Sequence, residues 1–186
     1  MIESAVDELL EVAQSRGAEV HKVNLLDARI EFCDNCQACT QAAGTSRGRC
    51  PLDDDMPKIL DQLEGSDAIV LASPMNFFTT TALMKRFIER LLCYVSWPFG
   101  TALPKPRSRP TGKSAVLIVT SAAPGFMARF FTGTGRLLKI AARLLGASRV
   151  RSLYLGLSRH EPGASLSPRN RQKARALGQW LARRKS

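Results

Sequence analysis

Four of the chain's five cysteines, Cys33, Cys36, Cys39 and Cys50, crowd into one short stretch with the spacing CxxCxxCx10C and Pro51 directly after the last. Two successive CxxC steps put three thiolates within reach of one metal centre, and a fourth thiol from a glycine-bearing loop completes a four-thiolate set. Read from spacing alone, such a set suits a [4Fe-4S] cluster, a zinc ion, or unliganded redox-active thiols. The first residues, MIESAVDELLEVAQS, are acidic and amphipathic, unlike a secretory or mitochondrial signal. In that setting clustered cysteines point to metal or redox chemistry, not to a disulfide framework. Cys93 lies in an apolar helical stretch and reads as a packed core thiol. The run Asp53, Asp54 and Asp55 resembles a metal-binding acid cluster, but a helix N-cap and the helix dipole explain it more simply. His21 and His160 have no partner pattern, Lys85 and Arg86 read as solvated helix charges, and no side-chain acid, base or nucleophile stands out as catalytic.

The elements that must position these groups follow from periodicity. Residues 3–16 carry apolar positions at helical spacing and stop at Gly17. EVHKVNL, 19–25, reads as an edge strand. A helix from Asp53 or Asp54 through Leu63 ends at Gly65, and the apolar run Ala68 to Ala72 is a buried strand stopped by Ser73-Pro74. Leu83, Phe87 and Leu91 then mark an amphipathic helix, with Lys85, Arg86, Glu89 and Arg90 mostly on its outer side. The segment 95–112 is rich in proline and basic residues and cannot be a helix or central strand. Its aromatic start suits a lid or a subunit contact, and its KPRSRP portion a solvated excursion. SAVLIVTS, 114–121, is a second buried strand followed by the small-residue loop AAPGF. A helix over 129–146, with Phe130 in its apolar stripe, a strand over 149–157 and a helix over 167–184 complete the chain. The alternation predicts one α/β domain over 1–186, with a Cys-rich loop at 33–50 and a Pro/basic excursion at 95–112.

The chain has 186 residues, 45% hydrophobic, with no run of about 18 apolar residues, so a membrane span is not expected and the cytoplasm is the default location. Its net charge of +11 is unevenly distributed. Residues 1–84 carry 6 Lys/Arg and 14 Asp/Glu, net −8, whereas residues 85–186 carry 21 and 2, net +19. The basic half lacks the aromatic interleaving of a single-strand binder and any helix-turn-helix, which argues against nucleic acid as the partner. Attraction of an anionic small molecule such as a phosphorylated dinucleotide accounts for it as economically.

The pieces CDNCQACT, GRCPLDDDM, SDAIVLASPMNFFTTTALMKRFIERL and GKSAVLIVTSAAPG, in this order, resemble the flavodoxin-like NAD(P)H-dependent FMN reductases, including their iron-sulfur flavoprotein branch. The resemblance implies a doubly wound parallel sheet of order 2-1-3-4-5, FMN as cofactor, NAD(P)H as co-substrate, and electron transfer to a quinone, flavin or similar small acceptor. It also implies a homo-oligomer, with Tyr94, Trp97 and Phe99 suited to a subunit edge. Carried over by position, Ser73, Pro74, Met75, Asn76 and Phe77, with Phe78 able to stand in for a stacking tyrosine, would lie against the flavin ring. Ser121, Ala122, Ala123 and Gly125 would form the second flavin-side loop, and Cys33, Cys36, Cys39 and Cys50 the cluster ligands. The relatives open with a strand and a phosphate-binding loop, whereas this chain starts inside the helix that follows. The first, central strand is therefore expected to be missing, with a gap left between two ladders and weak FMN binding or poor stability. The alternative of a different class is a non-enzymatic iron-sulfur or flavin electron carrier, or a thiol redox sensor.

Overall fold

The computed structural model describes residues 1–42, 44, 46–107, 111–157 and 166–183. Three long parallel strands carry the fold: β1 (Ala68–Asn76), β5 (Lys113–Thr120) and β6 (Ala147–Leu155), with the two-residue β2 (Thr79–Thr80) antiparallel to the end of β1. The sheet order is β2-β1-β5-β6. β5 is buried at every position because it has neighbours on both edges and helices on both faces. That burial is why KSAVLIVT reads as an almost unbroken apolar run instead of an alternating one.

On one face, α1 (Ile2–Gln14) and α7 (Pro168–Leu181) pack together over Val116, Ile118, Leu153 and Leu155. Their approach is close enough that a Cβ on Gly178 would lie 2.3 Å from the Leu9 carbonyl oxygen. Glu8 of α1 pairs with Arg171 at 2.8 Å and Arg175 at 3.3 Å, so part of the acidic front half is neutralised by the basic rear half within the fold. On the other face α3 (Met56–Gly65), α4 (Ala82–Arg90) and α6 (Thr134–Leu144) cover Ile69, Leu71, Leu117 and Val119. The short helices α2 (Ala38–Gln41) and α5 (Gly125–Phe130) and a hairpin of β3 (Val95–Ser96) with β4 (Lys105–Pro106) complete the described elements.

Four sequence expectations are corrected. Residues 19–25 join no ladder; the edge of β1 over Ala68–Pro74, unpaired among the described residues, instead borders an apolar groove of about 490 Å³ lined also by α1, α3, α4 and residues 18–26. A strand needs a neighbour to bond to, and here the gap removes it. The single helix expected over 129–146 is two, broken at Thr132-Gly133, so Phe130 is 69% exposed instead of inward. Arg107, expected on a solvated excursion, is buried and donates to the carbonyls of Cys39, Thr40, Gly44 and Val95. Tyr94, expected at a subunit edge, is also buried, and its hydroxyl donates to Glu64 at 2.6 Å. His160 and residues 108–110 lie outside the described residues.

Candidate functional site

At the carboxyl end of β1, Met75 pairs with Thr80 and Asn76 with Thr79, which leaves Phe77 and Phe78 as a two-residue hairpin loop. Both residues have positive φ, 46° and 63°. Such loops normally carry Asn-Gly, because a Cβ is strained in that region. Strain of about 1–3 kcal/mol per residue persists only where the surroundings enforce it, and it concentrates at functional sites. The two rings stand out into solvent, Phe77 97% and Phe78 70% exposed. The Phe78 carbonyl accepts from Gly133 N–H at 3.1 Å, which docks the hairpin on the turn between α5 and α6.

The other residues of this loop hold it in place. Ser73 is buried; its hydroxyl donates to the Pro74 carbonyl at 2.8 Å and accepts from Thr81 N–H at 3.2 Å. Thr81 in turn caps α4 by accepting from Met84 N–H. Met75 packs on the core, and Asn76 is exposed. Behind the hairpin, the hydroxyls of Thr80 and Thr134 are buried without a partner among the described residues.

The second loop follows β5. Ser121 is buried, its N–H donates to the Leu155 carbonyl at 2.9 Å, and its hydroxyl donates to the Ala123 carbonyl at 2.7 Å. Gly156 presses on the same loop, where an added Cβ would lie 2.0 Å from Gly125 N and 2.8 Å from the Ala123 oxygen. Among the described residues the N–H groups of Ala122 and Ala123 enter no hydrogen bond, and Ala122 is exposed. Two open aromatic rings on one loop and unengaged backbone donors on small residues of the next, at the carboxyl ends of adjacent parallel strands, fit a flat heterocycle with carbonyl oxygens.

The cysteine loop is fastened to the domain by buried charges that the sequence did not disclose. Arg90, expected on the outer side of α4, is buried; it is paired with the fully buried Asp54 carboxylate, donates to the Glu31 carbonyl at 2.9 Å and approaches the Cys50 sulfur at 3.4 Å. Burial opposes the Arg90 charge, but Asp54 and Cys50 more than offset it and leave the pKa raised. For Asp54 burial likewise favours the neutral form, yet Arg90 and the N–H groups of Glu31 and Met56 hold its carboxyl below the usual range. Asp55 accepts from Arg29 N–H at 2.8 Å. The acid run thus clamps loop to helix and shows no gathering for a metal among the described residues. Lys113 is buried against the last turn of α3, donating to the carbonyls of Leu63 and Glu64, and burial lowers its pKa.

Cys36 is exposed, Cys33 and Cys50 are half-buried, and Cys39 is buried, with its thiol pushed up first by burial and then by the neighbouring sulfurs. Among the described residues no three of these thiols form a group placed to hold a metal ion, although the sulfurs of Cys33, Cys36 and Cys50 all act on Cys39. Cys93 is a core thiol as expected, donating to the Arg90 carbonyl and pushed up to about 12 by burial.

A family profile described as flavodoxin-like fold matches residues 3–182. An iron-sulfur flavoprotein of Archaeoglobus fulgidus is 37% identical over 94 residues, 50% of this chain and 39% of that protein. One of Methanocaldococcus jannaschii is 31% identical over 85 residues, 46% of this chain and 42% of its own. The chain spans about two-fifths of the length of these relatives. Among solved structures, an FMN-dependent NADH-azoreductase of Bacillus anthracis in complex with FMN superposes with a TM-score of 0.68 at 15% identity, over 96% of this chain and 90% of that one. An NAD(P)H:quinone oxidoreductase of Methanothermobacter marburgensis gives 0.67 at 19% identity, over the same shares. These two show the fold. No described helix is long and apolar enough to cross a membrane.

Proposed function

We propose, from the premise that this chain belongs to the flavodoxin-like family, that it is a flavin-dependent NAD(P)H oxidoreductase which reduces a quinone, a flavin or a similar small acceptor. The observation that carries this reading is the Phe77-Phe78 hairpin, a strained loop that presents two rings to solvent at the carboxyl end of a central strand. Bound FMN would supply the chemistry, accepting a hydride at its ring and passing the electrons on. The protein's own residues bind and orient. Phe77 and Phe78 would stack on the ring, and the N–H groups of Ala122 and Ala123 would be the donors for its carbonyl oxygens. Ser73, Ser121 and Gly156 hold the two loops at a fixed separation. Trp97 and Phe99, exposed beside α2, are the candidate contact between subunits.

Oxidation of NADPH and of NADH by the purified chain, with added FMN and a water-soluble quinone, tests the reading. Turnover that requires FMN and falls at least tenfold in Phe77→Ala/Phe78→Ala is expected. Turnover without flavin, or none with it, contradicts the proposal.

A further inference from the structure

Three basic side chains surround a second cavity that the flavin-side loops do not use. We infer that the cleft between α5, α6 and β6 recognises the phosphate monoester of a phosphorylated nicotinamide dinucleotide, so that the protein selects NADPH over NADH. This rests on the oxidoreductase reading above.

The cleft has a volume of about 520 Å³, within the range of small-molecule pockets. Arg129 reaches it from the last turn of α5, and Arg136 and Lys139 from the first two turns of α6. β6 contributes the hydroxyls of Ser152 and Tyr154, which share one face of the strand. Phe130 closes one side, with the Arg129 guanidinium 5.1 Å from its ring centre. Gly135 lets the Tyr154 ring lie against the start of α6, since a Cβ there would sit 1.9 Å from the Tyr154 hydroxyl. The amino end of this 11-residue helix, positive by its dipole, therefore borders the same space as the three cations.

Among the described residues no carboxylate pairs with this charge. No Asp or Glu occurs between Glu89 and Glu161. Among the described residues, Arg47, Arg90, Arg171 and Arg175 each face a carboxylate, whereas Arg129, Arg136 and Lys139 face none. Three unpaired cations with hydroxyl donors and an aromatic wall suit a phosphate carried on a nucleoside. The position suits a dinucleotide. α5 is six residues, about 9 Å long, and runs from the Ala122-Ala123 loop to the cleft. On the other side, Gly133, two residues before Gly135, is bonded to Phe78. A dinucleotide with its nicotinamide at the flavin-side loops can thus lay its phosphorylated end in the cleft.

Calorimetric titration of the flavin-free chain with adenosine 2′,5′-bisphosphate, adenosine 5′-monophosphate and inorganic phosphate tests this without turnover. The bisphosphate is expected to bind at least about tenfold tighter than either competitor, the size of one charge-assisted hydrogen bond. It should lose about tenfold or more in Arg136→Gln/Lys139→Gln and retain binding within about threefold in Arg136→Lys and in Arg171→Gln/Arg175→Gln on α7. In the unaltered protein, the bisphosphate should protect Lys139 from acylation, a readout that no folding defect can mimic. Equal affinity for the three ligands, an equal loss in the α7 variant, or unprotected Lys139 would overturn the assignment. Flavin titrated in parallel separates the two proposals: lost flavin binding counts against the oxidoreductase reading alone, and lost bisphosphate discrimination against the cleft alone.

Discussion

Gly156 and Asp54 show how single residues hold the two halves of the site. At Gly156 any side chain collides with backbone, not with a flexible neighbour, so the Ala123–Gly125 loop must move. Gly156→Ala is expected to weaken flavin binding at least tenfold and to lower the melting temperature by several degrees, measured by flavin fluorescence and thermal unfolding; unchanged values would show that the loop tolerates displacement. Asp54 and Arg90 form a buried pair, and removing one partner strands the other charge at a cost of about 3–5 kcal/mol. Because the folded state holds the Asp54 carboxyl below its ordinary range, its stabilisation is present above the unfolded value near 3.9 and is lost as pH falls. The stability gap between the unaltered chain and Asp54→Asn should therefore be widest near neutral pH and narrow below about pH 4 in denaturant titrations. A constant gap would refute the pair's role. The sequence offered Asp54 as a cap or a metal ligand and Arg90 as a surface charge; their pairing across 36 residues is tertiary and leaves no periodic trace.

At the scale of elements, the buried strands, the order of helices and strands, and the two loops at strand ends were all legible, since apolar runs broken by Ser-Pro and Ala-Pro-Gly are local signals. The strand expected at 19–25 was not realised, because strand formation depends on a partner that composition does not reveal. β5 is paired on both edges, while β1 is paired on one edge over most of its length. Amide hydrogen exchange should follow this difference: β5 amides exchange only by global unfolding, and the groove-side amides of Ala68–Ser73 at least about a hundredfold faster. Uniform protection of the two strands would mean that the groove closes in solution. The Phe77-Phe78 hairpin was legible as a loop but not as a positive-φ turn, because nothing in the residue types asks for one.

For the whole molecule, the charge division of the sequence has two structural destinations. Part is consumed where α1 meets α7, through Glu8 with Arg171 and Arg175. Another part, Arg129, Arg136 and Lys139, faces no carboxylate among the described residues and borders the loops where Phe77, Phe78, Phe126, Phe130 and Phe131 are all exposed. Open aromatic surface next to uncompensated positive charge is the expected signature of a face that meets a planar, anionic ligand. Under the proposed function, Phe77 and Phe78 carry the contact with the flavin ring. Flavin fluorescence quenching by the purified chain measures this most directly. Saturable quenching of FMN is expected, with affinity lost at least tenfold in Phe77→Ala/Phe78→Ala. Absent quenching, or quenching indifferent to the two phenylalanines, would contradict it.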